Sequence, residues 1–419
     1  MSAAVSKVDD ESRSHRLRLF LILGSLTAVG PIAIDAYLPA FPTIARNFNA
    51  SASNVQLTLT GLLVGLALGQ VVAGPLSDVM GRRRPLVFGL AAYTLASLAC
   101  TIAPSVAVLD LFRVIQGLGA AAGVVIARAI VRDLFSGDDA ARFFSLLVIV
   151  TAISPIFAPL LGSLVLRLTS WRGIFAILAA VGGILAAVVL VGLRETLPPR
   201  RRREGGVPDA LRSYRKLLTD RVFVGYALTF GAPFIGIFGY ISGSSFVLQN
   251  VYGLSPQTYG LLFGLNGLGL VLASQVNRYL VGRVHATRLL GVGIIGLAAG
   301  SVLLAGGLLI GGVGVFGVVI PLALLVASVG FVSPNATALA LSGHPEMAGT
   351  GSAILGILQF GLGAAVAPLI GLAGTHSALP MAISFGVAAA AGAASFLLIA
   401  RGARTAESVS AEDAQVVGL

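Results

Sequence analysis

Charge is what this chain has little of. Charged residues make up 11% of its 419 residues, against about 25% in a soluble domain. So few charges cannot cover a water-facing surface of this size, whereas a surface that faces lipid needs almost none. Cysteine is nearly absent as well. The single Cys100 excludes an intrachain disulfide, and with it any reading of redox compartment. The four histidines, His15, His285, His344 and His376, fall in loops or near the amino terminus, without metal-ligand spacing, so no metal site is expected. Nucleophile–base pairs, Asp-rich metal motifs and paired carboxylates are missing from the apolar stretches, which argues against an enzyme. No appended soluble domain is visible that could pass on a signal, which argues against a sensor.

What remains is hydrophobic. Apolar residues make up 56% of the chain, and glycine contributes 53 positions; membrane helices tolerate glycine because small residues let backbones approach closely. A crossing takes about 20 apolar residues. Six runs of that kind are found at 18–39, 54–76, 85–104, 106–132, 141–166 and 172–193, and six more at 221–249, 256–280, 287–310, 313–341, 347–371 and 377–400. Turn residues mark the breaks: Pro39, Pro42 and Asn47 after the first run, Gly81 to Pro85 after the second, Pro104 and Ser105 after the third. The first run follows a basic segment, as a signal peptide would. It lacks a small-residue cleavage site and is interrupted by Pro31 and Asp35, so an uncleaved helix is expected. The fold class is therefore an all-α membrane protein with twelve transmembrane helices in two six-helix halves. The expected divisions are a cytoplasmic tail 1–17, a first bundle 18–193, a cytoplasmic linker 194–220, a second bundle 221–400 and a cytoplasmic tail 401–419.

The basic residues give the orientation. Of 28 Lys and Arg, only Arg46, Arg167 and Arg172 fall on the side opposite the amino terminus, and Arg113 and Arg128 lie within spans. The positive-inside rule then puts both termini in the cytoplasm. The formal charge of +11 is explained by these short loops, and nucleic acid is not an expected partner. Segment 194–220, with Pro198, Pro199, Arg200 to Arg203 and Gly205-Gly206, is the one long polar connection; a flexible linker is expected, with its arginines either solvated or against anionic lipid headgroups. A shift of 205 residues places Gln70 on Gln275, Asp78 on Arg283 and Arg83 on Arg288. That is where a duplicated six-helix unit would match itself.

An ionisable side chain inside a span costs roughly 2.5–3.5 kcal/mol on insertion scales, so each one calls for a cavity, a partner or a function. Asp35 lies about 25 Å along the helix axis from Arg18, and Arg113 enters from the same side at similar depth. An ion pair or a shared water-filled cavity between them is expected, with Asp35 binding a proton and Arg113 tuning it; the alternative is Asp35 as a helix-end residue at the outer interface. Asp110, one turn before Arg113, reads as an interfacial residue paired with it. Arg128 can snorkel to the headgroups. In Gly74-Pro-Leu-Ser-Asp78-Val-Met-Gly81-Arg82-Arg83-Arg84, Gly81 allows a tight turn. Arg82 is expected to bridge Asp78 and Asp133 and so latch the two halves in one state.

These segments resemble known motifs. GPLSDVMGRRR is similar to the signature loop of the major facilitator superfamily. RVIQGLGAAAGVVIARAIVRDLF, residues 113–135, resembles the fourth-helix motif of its drug/proton antiporters, which assigns proton-coupling importance to Arg113. Ala158-Pro159-Leu-Leu-Gly162 resembles the fifth-helix antiporter motif, with alanine in place of its first glycine, while Val79 replaces a residue that is often basic in the loop. IDAYLPAFP, RDLF, WRGIF and RETLPP narrow the resemblance to the bicyclomycin/chloramphenicol-resistance (Bcr/CflA) efflux subfamily. The resemblance implies a multi-pass protein of the cytoplasmic (inner) membrane, working by alternating access. It would exchange a small amphipathic organic substrate for protons, with no cofactor beyond the proton gradient, surrounded by membrane lipids and acting as a monomer. Export of an endogenous metabolite, or uptake by proton symport on the same fold, are the alternatives. Candidate substrate contacts are Tyr37, Gln116, Phe238, Tyr240, Asn266, Asn335 and Gln359.

Overall fold

The computed structural model describes residues 2–201, 206–310, 313–344, 347–372 and 377–417. Arg202, Arg203, Gly205 and His376 lie outside them. The described residues are almost entirely helical. The helices are α1 (Ser2–Asp35), α2 (Phe41–Phe48), α3 (Ala52–Met80), α4 (Arg83–Thr101), α5 (Val106–Leu134), α6 (Gly137–Leu168), α7 (Trp171–Gly192), α8 (Gly206–Thr219), α9 (Arg221–Phe246), α10 (Pro256–Leu280), α11 (Ala286–Ile310), α12 (Phe316–Ser342), α13 (Ala348–Gly371) and α14 (Leu379–Val417). Twelve segments among the described residues are long and apolar enough to cross a membrane. Every run expected from the sequence corresponds to one of them.

Several boundaries differ from expectation for local reasons. The first crossing runs to Phe48 rather than to residue 39. Helix α1 ends at Asp35, a 3₁₀ turn covers Leu38–Ala40, and α2 follows. Pro39 and Pro42 open these last two pieces instead of ending the span, because the first helical turn has no use for the missing N–H. Asn49, at φ 50°, closes α2 in the left-handed region. Helices α3, α5 and α10 begin at Ser51, Ser105 and Ser255, whose hydroxyls accept from Asn54, Val108 and Thr258 amides, standard N-capping. The amino-terminal tail is helical from Ser2, and the last helix runs on to Val417.

The segment expected as a flexible linker contains α8. Leu217 is fully buried there, and the helix packs against α3, α9 and α13. An apolar stripe on a short amphipathic helix explains the order; composition alone did not reveal it.

Packing repeats along the chain. Helix α5 lies against α3 and α4, and α12 against α10 and α11. Helix α1 packs on α6, and α9 on α13. The principal seams between the two sets are α3 with α13 and α6 with α10, two contacts that interchange when the six-helix sets are exchanged. The twelve crossings alternate in direction. One end of the bundle therefore carries Arg82 and Arg283, and the opposite end carries the α1–α2 turn, Ser53 and Gln249.

Candidate functional site

Arg113 is fully buried on α5. Its guanidinium donates from Nε to the Thr58 carbonyl (3.2 Å), from Nη1 to Gln116 Oε1 (2.6 Å) and from Nη2 to the Ala33 carbonyl (2.9 Å). It lies 4.0 Å from the Tyr37 ring centroid and 5.5 Å from that of Phe175. Gln116 passes the bond on to Ser97 Oγ at 2.7 Å. One planar fork thus joins α1, α3 and α5 and, through Gln116, α4; only arginine presents donors in that geometry.

The expected ion pair between Asp35 and Arg113 does not form. Arg113 takes the carbonyl of Ala33 instead. Two residues on, the chain has turned about 200° round the helix, and Asp35 faces the second half. It is 4% exposed and has no ion pair among the described residues. Tyr240 and Tyr259 of the second half are its polar neighbours, and their hydroxyls are held by Asn266 (2.9 Å) and Ser244 (3.2 Å). Asp110 also fails to form the expected ion pair with Arg113. It presses on α3 at Gly61, with Oδ1 buried and lacking a hydrogen-bond partner among the described residues.

The turn after Asp35 is gripped from two sides. A Cβ at Gly162 would sit 1.7 Å from the Ala36 carbonyl oxygen, so only glycine fits at this contact between α6 and the turn. Pro159 and Ile156, on the same helix, pack their backbones against Gly260 and Gly264 of α10; Ala158 is buried beside them. On the other side, Ser245 Oγ donates to the Leu38 carbonyl (2.6 Å) and Gln249 Nε2 to that of Pro39 (3.1 Å). Ser53 with Pro368, Gln56 with Ser242, Thr60 with Ala364 and Gln257 with Ser163 add four more bonds between the halves, at 3.0–3.2 Å. The Asp35 end of the bundle is sealed in this state.

At the opposite end, Gly81 turns the chain at φ 89°, a region that favours glycine. Arg82 is 7% exposed. It donates from Nε to Asp133 Oδ2 (2.8 Å), from Nη2 to Asp133 Oδ1 (3.3 Å), and from Nη1 to Ser77 Oγ (2.8 Å) and Asp78. Burial weakens a guanidinium's hold on its proton, but here the Asp133 and Asp78 carboxylates outweigh it and tighten that hold. Glu195 accepts from the Arg82 and Arg83 amides at 2.8 and 3.2 Å, and Thr196 donates to Asp133 at 3.0 Å. Arg83 reaches the Leu190 carbonyl. Gly74 has ordinary room, with Val125 3.7 Å from where a Cβ would stand. The expected bridge between Asp78 and Asp133 is present in this geometry. It ties helices of the first half to one another and to the chain after α7, so the expected direct latch between the halves is replaced by a clasp inside one of them.

The seven candidate substrate contacts fall in different places. Tyr37 and Gln116 belong to the Arg113 hub. Tyr240 stacks on Phe263 with centroids 5.0 Å apart, next to Asn266. Phe238 meets Phe360 at 6.3 Å, and Gln359 is half-buried next in sequence. Asn335 is at the Arg82 end, bonded to Asn277. Sequence reasoning missed Thr58, Ser97, Ser77 and the Ala33 carbonyl, which carry no signal as residue types. It also missed Glu195, although RETLPP was in view, and Tyr259, an aromatic among many. Among the described residues, no group of three or more His, Cys, Asp and Glu could hold a metal.

The chain matches the Major Facilitator Superfamily model over residues 23–368. It is 40% identical to an uncharacterized MFS-type transporter, YdgK, of Bacillus subtilis over 91% of this chain and 95% of that one. It is 31% identical to a bicyclomycin resistance protein homolog of Haemophilus influenzae, covering 87% and 92%, and 31% identical to a chloramphenicol resistance protein of Pseudomonas aeruginosa, covering 84% of each. In structure it resembles a bacterial homolog of the human lysosomal transporter Spinster in an inward-facing, unoccupied conformation. The TM-score is 0.73 at 18% identity, covering 92% of this chain and 97% of that one. The xylose transporter XylE of E. coli, partially occluded and inward open, gives 0.72 at 14% identity, covering 93% and 98%.

Proposed function

This chain belongs to the Major Facilitator Superfamily, as a multi-pass membrane transporter of its bicyclomycin/chloramphenicol-resistance branch, and from that premise we propose that it exports small amphipathic organic compounds in exchange for protons. The observation that carries the reading is Asp35: a carboxyl group buried at the junction of the two halves, with no cation paired to it among the described residues. Breaking a buried pair, or burying a lone charge, costs about 3–5 kcal/mol. Protonation removes that cost. With the Arg82 end in the cytoplasm, as the basic loops predict, the sealed end is the outer one. A proton on Asp35 then favours the outer-closed state, and its loss to the cytoplasm puts an unpaired charge at the seam and favours opening outward.

Coupling needs nothing more than that difference, since a ligand shifts an equilibrium only by its differential affinity for the two states. Arg113 acts as a positioning residue. By holding the Ala33 carbonyl and stacking on Tyr37, it fixes the end of α1 that presents Asp35. Pro159 and Gly162 set the hinge on which the α1–α2 turn meets α10. Substrate contacts come from the Phe238–Phe360 and Tyr240–Phe263–Asn266 groups, which bear no fixed charge and suit neutral or zwitterionic cargo. The test is transport in proteoliposomes loaded with a candidate drug. An imposed proton gradient should drive drug against its concentration in the wild-type protein and not in Asp35→Asn. Gradient-driven exchange of normal stoichiometry in Asp35→Asn would remove the assigned role.

A further inference from the structure

The loop between α10 and α11 is the counterpart of the Arg82 loop, and its corner opens into a cavity. A cavity of about 650 Å³ lies there, between the end of α10, residues 281–286 and the end of α12. Its floor is a pair of buried amides, Asn277 and Asn335, each 3% exposed. Asn335 Nδ2 donates to Asn277 Oδ1 (2.6 Å) and to the Phe331 carbonyl (2.8 Å). That fixes the orientation of both side chains and leaves Asn277 Nδ2 as a donor and Asn335 Oδ1 as an acceptor without protein partners among the described residues. At the mouth are Arg283 and His285. The Arg283 guanidinium lies 3.9 Å from the Tyr279 ring centroid and has no carboxylate partner among the described residues. His285 Nδ1 accepts from the Thr287 amide at 3.3 Å, so its Nε2 carries the ring's remaining donor. Tyr279 is exposed, as is Val281, and an aromatic with an arginine at a span's end is what the headgroup level of a bilayer selects.

We infer that this corner binds an anionic polyol phosphate, the chemistry presented by a glycerophospholipid headgroup. The phosphate would lie against Arg283 and His285, since a guanidinium matches phosphate geometry. A hydroxyl both donates and accepts, so one hydroxyl on the polyol would satisfy Asn335 Oδ1 and Asn277 Nδ2 together. A choline headgroup offers neither hydroxyls nor net negative charge and would be rejected. The first half could not hold such a group, because Asp78 and Asp133 occupy its corner and Arg82 fills it.

The experiment uses the full-length protein in phosphatidylcholine nanodiscs, titrated with phosphatidylglycerol and, separately, with soluble glycerol 1-phosphate, and reads bound ligand by native mass spectrometry. Wild type should retain one phosphatidylglycerol. Arg283→Gln, at an exposed position, should retain it about tenfold more weakly, the loss of one charge-assisted hydrogen bond. Asn335→Ala should weaken binding of phosphatidylglycerol while leaving that of phosphatidic acid, which has no polyol, unchanged. Glycerol phosphate binding at equal affinity supports the site with a soluble source for its ligand; binding of the lipid alone supports a membrane source. No saturable binding of either, or equal binding by wild type and Arg283→Gln, would overturn the inference.

Discussion

In the first half, the loop between α3 and α4 sends Arg82 into Ser77, Asp78 and Asp133, and Glu195 caps the turn from the far side. In the second half, the loop between α10 and α11 sends Arg283 over the Tyr279 ring, and the floor of the corner is two neutral amides. The same contrast holds near the α1–α2 turn. Arg113 and Asp35 are in the first half; Arg113 keeps to first-half partners, and the second-half groups nearest Asp35 are neutral, Tyr240 and Tyr259 with their partners Asn266 and Ser244. One helical plan therefore carries two electrostatic roles. The half whose fixed charges are paired is cross-linked internally, and the other half provides a neutral surface at Tyr240, Tyr259 and Asn266 against which a single buried carboxylate changes state. A rocking transporter needs one side to hold its shape while the other responds, and charge-assisted bonds inside a low-dielectric bundle supply that stiffness.

The contrast can be broken by substitution. The largest effect is expected from Asp35→Asn, which should abolish gradient-driven exchange in proteoliposomes. Asn266→Ala, on the neutral side, should raise the substrate KM and leave the proton gradient able to drive export. Next, Arg82→Ala should lower unfolding stability by about 3–5 kcal/mol by stranding Asp133 and Asp78. Arg283→Ala, its counterpart, should stay within about 0.5 kcal/mol; thermal denaturation in detergent compares them. Gly162→Ala forces a methyl onto the Ala36 carbonyl and should cost about 1–3 kcal/mol. It should also slow exchange, because the α1–α2 turn is displaced.

The smallest effect concerns Asp220, which caps α9 by accepting from Val222 at 2.8 Å and pairs with His344 at 2.5 Å. Burial raises its carboxyl, but the His344 bond and the amide bonds from Val222 and Phe223 outweigh burial and hold it below the usual carboxylate range. Its contribution is therefore complete above the unfolded value of about 3.9 and disappears as pH falls through the depressed folded one. Asp220→Ala should cost about 1 kcal/mol at neutral pH and nothing in strong acid. A loss that grew on acidification would contradict this assignment.

Much of this was legible in advance. Apolar run length identified the twelve crossings, because lipid leaves the backbone few choices. Arg82, Asp78 and Asp133 were legible because charges at adjacent span ends have little else to pair with. The Asp35–Arg113 pair was misread for a definite reason. Depth along a helix can be counted in residues, but facing depends on rotation, and Arg113 was free to choose carbonyl acceptors that no residue type advertises. The substrate contacts scattered because buried aromatics pack cores as readily as they line cavities. Helix α8 escaped notice because Pro and Gly at its start outweighed the apolar stripe at Leu217 behind them.

The account stands on Asp35 charging the seam between the halves. Spin labels at Asn54 and Leu372, on the sealed ends of α3 and α13, would report that seam by pulsed distance measurement in nanodiscs across a pH series. The wild-type distance should lengthen as pH rises and Asp35 ionises, while Asp35→Asn holds the short distance throughout. A wild-type distance indifferent to pH, or an Asp35→Asn protein that opens with the same pH dependence, would contradict it.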